Sequence, residues 1–414
     1  MPVDIRNYLV GFPDRETALR AVLTVDEAVF GEDFTDEEIA SPAFEVVEDD
    51  RTFLAWDGDQ TVGMSANFSL ELSVPGGVIP TAGVTFIGVR PTHRRRGVMS
   101  AMLETLHADG LKRHEPVAAL WAAEPAIYPR FGYGVATHAL RLSIPRSHGS
   151  MSQAPDDPRI TLRMVDPADD FETTSTVYDI ERRYRSGIPA YDQRWHARHV
   201  WDPPSRREGT GRLHTVLAET DGRVRGFLRY TVKPDWTSAH ADGTFNIQRM
   251  MANDPAAYAA LWRYAINFDL MSKVGWWNAP SDDPIQLWLD QPRHASRQRE
   301  DQLYIRLLDL PAALSARTYS SDLDVVIEVT DRHLPANEGR WRLTGGPAGA
   351  TVLASTDDAD VSLDVRTLGA AYLGGTTIEE HAAATWVTEH TPGSVALMSN
   401  AFRTAIAPHC PFVF

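Results

Sequence analysis

Three consecutive arginines and a glycine, Arg94 to Gly97, form the segment of this sequence with the clearest chemical meaning. They follow the apolar, β-branched run from Val84 to Val89 and precede a helix-like stretch from Ser100 to His114. The first backbone N–H groups of a helix have no partner within the helix, and a glycine beside them lets an anion approach closely. With the arginine countercharge, this segment is predicted to bind a pyrophosphate group. A basic surface turn ahead of a helix is the alternative interpretation.

A cluster of aromatic residues forms the second such segment. Tyr128, Phe131 and Tyr133 surround Arg130 and Gly132 at the end of the stretch LWAAEPAIYPRFGY, which begins as an apolar strand. Taken alone, Tyr128 is better explained as a half-buried aromatic residue with a hydrogen-bonded hydroxyl. Its position shortly after the arginine–glycine loop favours a functional role instead.

Together these motifs resemble the GCN5-related N-acetyltransferases, and RRRG followed by IYPRFGYG is similar to the enhanced-intracellular-survival (Eis) family in particular. The resemblance implies acetyl-coenzyme A as co-substrate, with no metal, and direct attack of an amine on the thioester. It also implies that Tyr128 protonates the departing thiolate, because a phenol pKa of about 10 is close to that of a thiol. The residues expected to hold the cofactor are Phe86, Ile87, Val89, Arg94, Arg95, Arg96, Gly97, Val98, Met99, Ala123 and Glu124.

Two of these positions depart from the usual pattern of that family. Met99 stands where a small residue is common, and Ala123 stands where a serine often precedes Glu124.

The C-terminal residues CPFVF are apolar, whereas most chain termini are polar and frayed. A docked tail that buries Phe412 or Phe414 is therefore predicted. In the Eis family the terminal carboxylate takes the proton from the attacking amine, so by resemblance Phe414 is the general base. The residue before it, often acidic in that family, is Val413 here. A tail that is packed only for stability is the alternative.

An acidic segment extends from Val29 to Ala40. By the same resemblance, it is expected where the first helix is followed by the second, on the substrate side of the active-site cleft. Thr35 and Glu38 spell a capping box, which explains the acids at 36–38 as a helix start. Asp33 is then the better candidate for contacting a substrate ammonium group. The expected substrate-binding residues are Phe30, Asp33, Phe34, Phe86 and Val413.

Composition limits the classes of partner. The 414 residues carry a formal net charge of -16, which disfavours nucleic acid and favours cationic ligands. The one cysteine, Cys410, excludes an intrachain disulfide and a cysteine zinc site. No basic leader and no apolar run of about 18 residues is present, so a cytoplasmic enzyme with no membrane partner is expected.

A repeated hairpin pattern indicates two copies of one fold. LAWDGDQTVG, from Leu54 to Gly63, and LAETDGRVRG, from Leu217 to Gly226, each place an Asp-Gly turn between two strands. The second copy has no arginine triplet, and its helix is expected to begin with Asn253 or Asp254 as N-cap and Pro255 at the first position. An acidic cap would repel a pyrophosphate, so this copy is predicted to have a structural or substrate-shaping role.

The remaining residues predict a third domain. A strand and short helix are expected within 301–319, followed by strands at Val325–Val329, Trp341–Leu343 and Val361–Val365 and a helix at Thr367–Gly375 that ends in Gly-Gly. This pattern resembles the sterol-carrier-like domain of Eis chains. The predicted fold class is mixed α+β, with an acetyltransferase domain at 1–150, a degenerate second copy at 151–300 and a sterol-carrier-like domain at 301–414.

The function expected from these features is acetylation of primary amines on cationic substrates of the aminoglycoside type. Acetylation of protein lysines or small amines is an alternative, and a non-catalytic amine-binding or lipid-binding protein is another. The resemblance further implies a homo-oligomer, namely a hexamer.

Overall fold

A computed structural model describes residues 4–237 and 240–414. The chain forms two compact units. Unit 1 contains residues up to Thr137, Gln302–Ala405 and Val413–Phe414, and unit 2 contains His138–Asp301 and Ile406–Phe412. The two copies of the repeated fold and the third domain are mixed α+β, as the sequence predicts. Along the described residues, no helix combines the length and apolar character needed to cross a membrane.

Unit 1 is built around a twisted sheet covered by helices. Across the sheet the strands are Asp4–Asn7, Thr52–Asp57, Gln60–Val74, Gly77–Val89, Val117–Trp121, Leu303–Leu307 and Gly134–Val135. Its helices are Arg15–Phe30, Asp36–Ile39 and Val98–Lys112. The predicted Asp-Gly hairpin is confirmed, because Thr52–Asp57 pairs antiparallel with Gln60–Val74.

The parallel pair in this sheet separates partway along its length. Gly77–Val89 pairs with Val117–Trp121 only from Thr81 opposite Val117 to Gly83 opposite Ala119. Farther along, the strand is bulged, since Met64 faces Gly88 while Ala66 faces Thr85. The two strands therefore diverge around residues 84–89 and 120–121, and the gap is called the first wedge below.

A buried ion-pair group fixes the helix beside this wedge. Arg51 is fully buried, and its two Nη atoms donate to Glu115 at 2.7 and 2.6 Å. Its Nε donates to Asp109 of helix Val98–Lys112 at 2.8 Å. A buried charge is strongly destabilising when it loses its partner, so this group holds the helix firmly against the sheet.

Unit 2 repeats the architecture. Across its main sheet the strands are Ser296–Asp301, His138–Pro145, Met271–Pro280, Gly243–Ala252, Arg223–Lys233, His214–Thr220 and Thr161–Val165, and a small ladder joins Trp236–Thr237 to His240–Ala241. The helices are Phe171–Tyr184, Gln193–Val200, Pro255–Ile266 and Ile285–Trp288. The second predicted hairpin is confirmed, as is the helix start, where Asp254 caps the helix and Pro255 is its first residue.

The C-terminal part of unit 1 has its own sheet, with strands Gly349–Ala354, Gly339–Gly346, Leu323–Thr330, Val361–Asp364 and Val387–Glu389 in that order. Its helices are Leu310–Ser315, Val365–Ala371, Ile378–Ala383 and Ser394–Phe402. The helix expected at Thr367–Gly375 begins two residues earlier, because Asp364 accepts the Arg366 N–H and ends the preceding strand. It also ends at Ala371, before the two glycines.

The sheets take strands from both sides of the predicted domain boundaries. His138–Pro145, before the boundary at 150, pairs with Met271–Pro280 in unit 2. Leu303–Leu307, after the boundary at 300, pairs with Val117–Trp121 in unit 1. The boundaries at 150 and 300 stay predictions, and the chain completes each sheet with a strand that is distant in sequence.

Candidate active site

The arginine–glycine loop precedes a helix N-terminus that no side chain caps. Gly97 has φ 85° and no side chain caps the helix, whose first internal bond runs from the Ala101 N–H to the Gly97 carbonyl. Among the described residues, no acceptor meets the N–H groups of Val98, Met99 and Ser100. Glycine suits this position because φ is left-handed there. Unpaired N–H groups at a helix start form an anion site.

The arginines around the loop differ in their partners. Arg96 lies 3.8 Å from Asp57, which also lies 3.2 Å from His93 Nε2. Arg94 and Arg95 are exposed and make no ion pair within the described part of the chain. Their guanidinium groups are therefore available to an anion at the helix start.

The first wedge continues from this loop along the strand Gly77–Val89. Ile87 packs into the core cluster that contains Tyr128, and Val89 packs with Val98 and Met102. Phe86 has φ 49°, an unusual value for a bulky residue that accompanies the bulge. Beyond Gly83, the strand edge that faces Val117–Trp121 has no ladder partner among the described residues, so its backbone groups can bind an extended ligand.

Tyr128 begins the short 3-10 helix Tyr128–Phe131 and belongs to the same core cluster as Ile87. It is 6% exposed, and no described residue forms a hydrogen bond with its hydroxyl. Burial, followed by the charge of Glu124, raises the pKa of Tyr128 to about 12. The phenol is therefore protonated across the neutral range, as a proton donor must be.

Tyr133 is differently placed, although its ring lies 5.9 Å from that of Tyr128. It is fully buried, and its hydroxyl lies 2.9 Å from His107 Nε2. Burial raises the pKa of Tyr133, and burial followed by the charge of Arg306 lowers the pKa of His107 to about 3. Both groups are neutral and satisfy one another, which makes Tyr128 the more available donor.

The C-terminal carboxylate lies beside the strand Gly77–Val89, which borders the first wedge. Phe414 is 5% exposed, and the Thr85 hydroxyl donates to a terminal oxygen of Phe414 at 3.2 Å. Thr85 directly precedes the bulge at Phe86. Val413, by contrast, is 48% exposed.

Residues before Phe414 are docked in unit 2. The Phe412 ring lies 5.4 Å from Trp195 and 4.6 Å from His199, measured between ring centroids. The Asn278 side chain donates to the Cys410 carbonyl at 3.1 Å. Phe412 and Phe414 are both buried, so the predicted docking of the apolar tail is confirmed.

The expected substrate residues lie after the first helix. Phe30 ends helix Arg15–Phe30 and is 45% exposed, and Asp33 is also exposed. The Phe34 ring packs edge-on against the Phe44 ring, with 5.9 Å between the ring centroids. The capping box of Thr35 with Glu38 is present as predicted. These residues do not join the core cluster around Tyr128.

That helix end lies close to the wedge strand. A Cβ atom built on Gly88 would stand 3.2 Å from Val29, the residue before Phe30. Ala123 and Glu124 are exposed in the connection between Trp121 and Tyr128, where the Glu124 carbonyl accepts the Ile127 N–H.

Two residues near the wedge escape the sequence patterns. Thr85 is separated from Phe414 by 329 positions, so no local signal reports their contact. Arg90 follows the wedge strand, and its Nε is buried without a hydrogen-bond partner among the described residues. In the sequence, only its position four residues before Arg94 indicates that Arg90 lies near the arginine–glycine loop.

Comparison with known protein families identifies three matching domains in this chain. Family models for an acetyltransferase (GNAT) domain match residues 14–136 and 187–307, and a sterol carrier protein domain matches residues 310–411. The chain is thus an acetyltransferase with two GNAT domains followed by a sterol carrier protein domain.

Whole-chain relatives define the family more closely. An uncharacterized N-acetyltransferase of Streptomyces avermitilis is 44% identical over 370 residues, which cover 89% of this chain and 90% of the relative. N-acetyltransferase Eis of Mycobacterium tuberculosis is 30% identical, covering 97% and 93%. The crystal structure of Eis1 from Mycobacterium abscessus superposes with a TM-score of 0.83 at 29% identity, with both chains covered completely. The chain belongs to the Eis family of N-acetyltransferases.

Proposed function

We propose that this enzyme transfers the acetyl group of acetyl-coenzyme A to primary amines of cationic polyamines of the aminoglycoside type. The observation that carries the proposal is the carboxylate of Phe414, held by Thr85 at the edge of the first wedge. Ile87, two residues farther along the same strand, packs in the cluster that contains Tyr128. A base and an acid candidate thus border one strand.

The first wedge fits acetyl-coenzyme A. The unpaired N–H groups of Val98 and Met99, with Arg94 and Arg95, supply donors and charge for a pyrophosphate. Arg96 and Gly97 complete the loop, and Ala123 and Glu124 line the connection across the wedge. The unpaired strand edge at Phe86, Ile87 and Val89 supplies backbone groups for the pantetheine arm. When bound, the cofactor provides the activated acetyl thioester.

The proposed reaction needs two proton transfers and no acyl-enzyme. A primary amine is protonated at neutral pH, so the Phe414 carboxylate takes its proton directly or through water. As the new C–N bond forms, a backbone N–H of the wedge strand polarises the carbonyl oxygen. Tyr128 then donates its proton to the sulfur as the C–S bond breaks.

Acidic and aromatic residues support a cationic substrate. Asp33 is exposed near the end of the first helix, where Phe30 and Phe34 provide aromatic surface, with Phe86 and Val413 closer to the carboxylate. The net charge of -16 also favours attraction of a polycation. Protein lysines and small amines are the alternative substrates, because the same chemistry applies to them.

Further features of the proposal come from the family. We place the enzyme in the cytoplasm as a hexamer, with domains at 1–150, 151–300 and 301–414. The second acetyltransferase domain is not expected to bind acetyl-coenzyme A, because Asp254 caps the helix that would face the pyrophosphate. A non-catalytic role in amine or lipid binding is the competing hypothesis.

A thiol-release assay with acetyl-coenzyme A tests the proposal. Aminoglycosides and polyamines should release free thiol, and mass spectrometry should show one added acetyl group per thiol. Faster turnover of lysine peptides would favour the protein-lysine alternative. No release with aminoglycosides, polyamines or lysine peptides would remove the proposed function.

A further inference from the structure

Unit 2 contains a cavity of about 430 Å³ where its parallel strands diverge. Gly243–Ala252 pairs with Met271–Pro280 from Gly243 opposite Met271 to Ile247 opposite Trp276. Beyond that point residues 248–252 and 277–280 separate, and this gap is called the second wedge. The volume is within the range of small-molecule sites.

The second wedge cannot accept a pyrophosphate as the first does. The Asp254 carboxylate accepts the N–H groups of Ala256 and Ala257, each at 2.9 Å, and so occupies the helix N-terminus. A second anion there would be repelled by this carboxylate. The cavity is therefore chemically different from a second acetyl-coenzyme A site.

Arg249 is the unusual residue of the cavity lining. It is 6% exposed, and its Nε and Nη1 have no hydrogen-bond partner within residues 4–237 and 240–414. Its Cζ lies 4.8 Å from the ring centroid of Tyr191 and 5.2 Å from that of Phe412. Aromatic faces offset part of the cost of a buried cation, but a guanidinium group still lacks its preferred carboxylate.

The neighbouring Arg229, unlike Arg249, has a carboxylate partner. Arg229 is opposite Arg249 in the strand register, and it pairs with the buried carboxylate of Asp170. Among the described residues, Asp170 forms no ion pair with Arg249, although its Oδ2 has no hydrogen-bond partner.

Acidic groups of the cavity are engaged elsewhere. Asp283 is buried, accepts the Tyr258 hydroxyl at 2.5 Å and the Ile285 N–H at 2.9 Å, and burial raises its pKa to about 6. Glu181 accepts from Arg185 Nε at 2.9 Å. Within the described residues, Arg249 therefore forms no ion pair with an acidic side chain of the cavity lining.

The rest of the lining is mostly apolar. Met250, Met251 and Trp276 are buried, and Ile180 and Trp288 add apolar surface. Flexible methionine side chains adapt to ligands of varied shape.

We propose that the second wedge binds a small carboxylate with an apolar body, such as a medium-chain fatty acid, whose carboxylate pairs with Arg249. The apolar chain occupies the space lined by the methionines and Trp276. This site is independent of acetyl transfer in the first wedge.

Calorimetric titration of the full-length protein with decanoate, below its micelle concentration, tests the site. Saturating acetyl-coenzyme A is present throughout, so that binding in the first wedge is blocked. Decanol and decylamine serve as neutral and cationic probes. We expect saturable decanoate binding that is about tenfold or more tighter than that of either probe, the usual effect of a hydrogen bond to a charged group.

Two variants locate the binding. Arg249→Met removes the charge and should weaken decanoate binding about tenfold or more, to the level of decanol. Ile180→Trp narrows the cavity from a half-buried helix position and should abolish binding even if Arg249→Met fails to fold. Arg223→Met, an exposed arginine at the end of a strand in the same sheet, is the matched control.

The contrary results are equally clear. Equal binding of decanoate and decanol would contradict the role of Arg249, and preference for decylamine would assign the cavity to cations. Absence of saturable binding, or decanoate binding unchanged by Ile180→Trp, would overturn the site.

Discussion

The two wedges have the same strand geometry and opposite chemistry. In each, a parallel strand pair is hydrogen-bonded over a few residues and then diverges beside a helix N-terminus. In the first wedge that helix follows Gly97, and its first N–H groups have no acceptor among the described residues. In the second it follows Asp254, whose carboxylate fills the same role that a phosphate would.

The residue that precedes the helix is the main difference between the two wedges, and we expect it to determine which anion each can bind. The first wedge places its arginines on an exposed loop, where they can meet a large, highly charged cofactor. The second has the buried Arg249 in its mostly apolar lining, without an ion-pair partner among the described residues, and we propose that it binds a small monoanion. Duplicated folds can thus keep a backbone opening while its chemistry changes.

If chemistry occurs only in the first wedge, removing one hydroxyl there should have a large effect. Tyr128→Phe keeps the ring and deletes the proton, so turnover should fall about 10²-fold or more while acetyl-coenzyme A still binds. Steady-state kinetics and calorimetry measure the two effects. Tyr264→Phe deletes a hydroxyl from helix Pro255–Ile266 in unit 2 and should leave turnover unchanged.

A result in which Tyr128→Phe retains nearly full turnover would place the acid elsewhere. Tyr133 is then the next residue to test.

Giving the first wedge the cap of the second should weaken cofactor binding. Arg94→Ala with Gly97→Asp removes a cation and adds a carboxylate at the helix start, so the Kd for acetyl-coenzyme A should rise about 10-fold to 100-fold. Gly222→Asp is the matched control, because Gly222 also has a left-handed φ with open space around it, in the hairpin of unit 2. Unchanged affinity of the double variant in calorimetry would remove the cofactor assignment of this loop.

The stability of the protein in acid should depend on His107, which lies in helix Val98–Lys112 beside the first wedge. The pKa of His107 is lowered to about 3 in the folded protein, so the unfolded chain takes up a proton first as pH falls below about 6.5. The free energy of unfolding should therefore fall between pH 6 and 4, with His107 contributing about 1.4 kcal/mol per pH unit.

His107→Gln keeps a hydrogen-bonding group beside Tyr133 and removes the titration. The unfolding free energy of this variant should depend less steeply on pH in denaturant titrations. The raised pKa of Asp283 acts in the opposite sense, but it is the same in both proteins. Parallel pH profiles for the two would show that His107 titrates normally.

Local chemistry made much of this structure predictable. Asp-Gly turns located both hairpins, and the sequence around Asp254 located a helix start, because these signals involve residues close in the chain. The apolar character of the C-terminal residues likewise predicted the burial of Phe412 and Phe414.

Long-range pairing was beyond such signals. Nothing local indicates that Leu303–Leu307 enters the first sheet, or that Phe86 adopts a positive φ at a bulge. Arg249 could not be recognised either, since its unusual state depends on neighbours that the fold brings together.

Amidation of Phe414 is the sharpest test of its proposed role as the general base. Amidation, by semisynthesis, keeps the ring and its buried contacts and removes the negative charge. We expect a melting temperature within a few degrees of the parent, intact acetyl-coenzyme A binding, and a loss of turnover of about 10²-fold to 10⁴-fold. An amidated enzyme that folds, binds the cofactor and keeps nearly full turnover would contradict it.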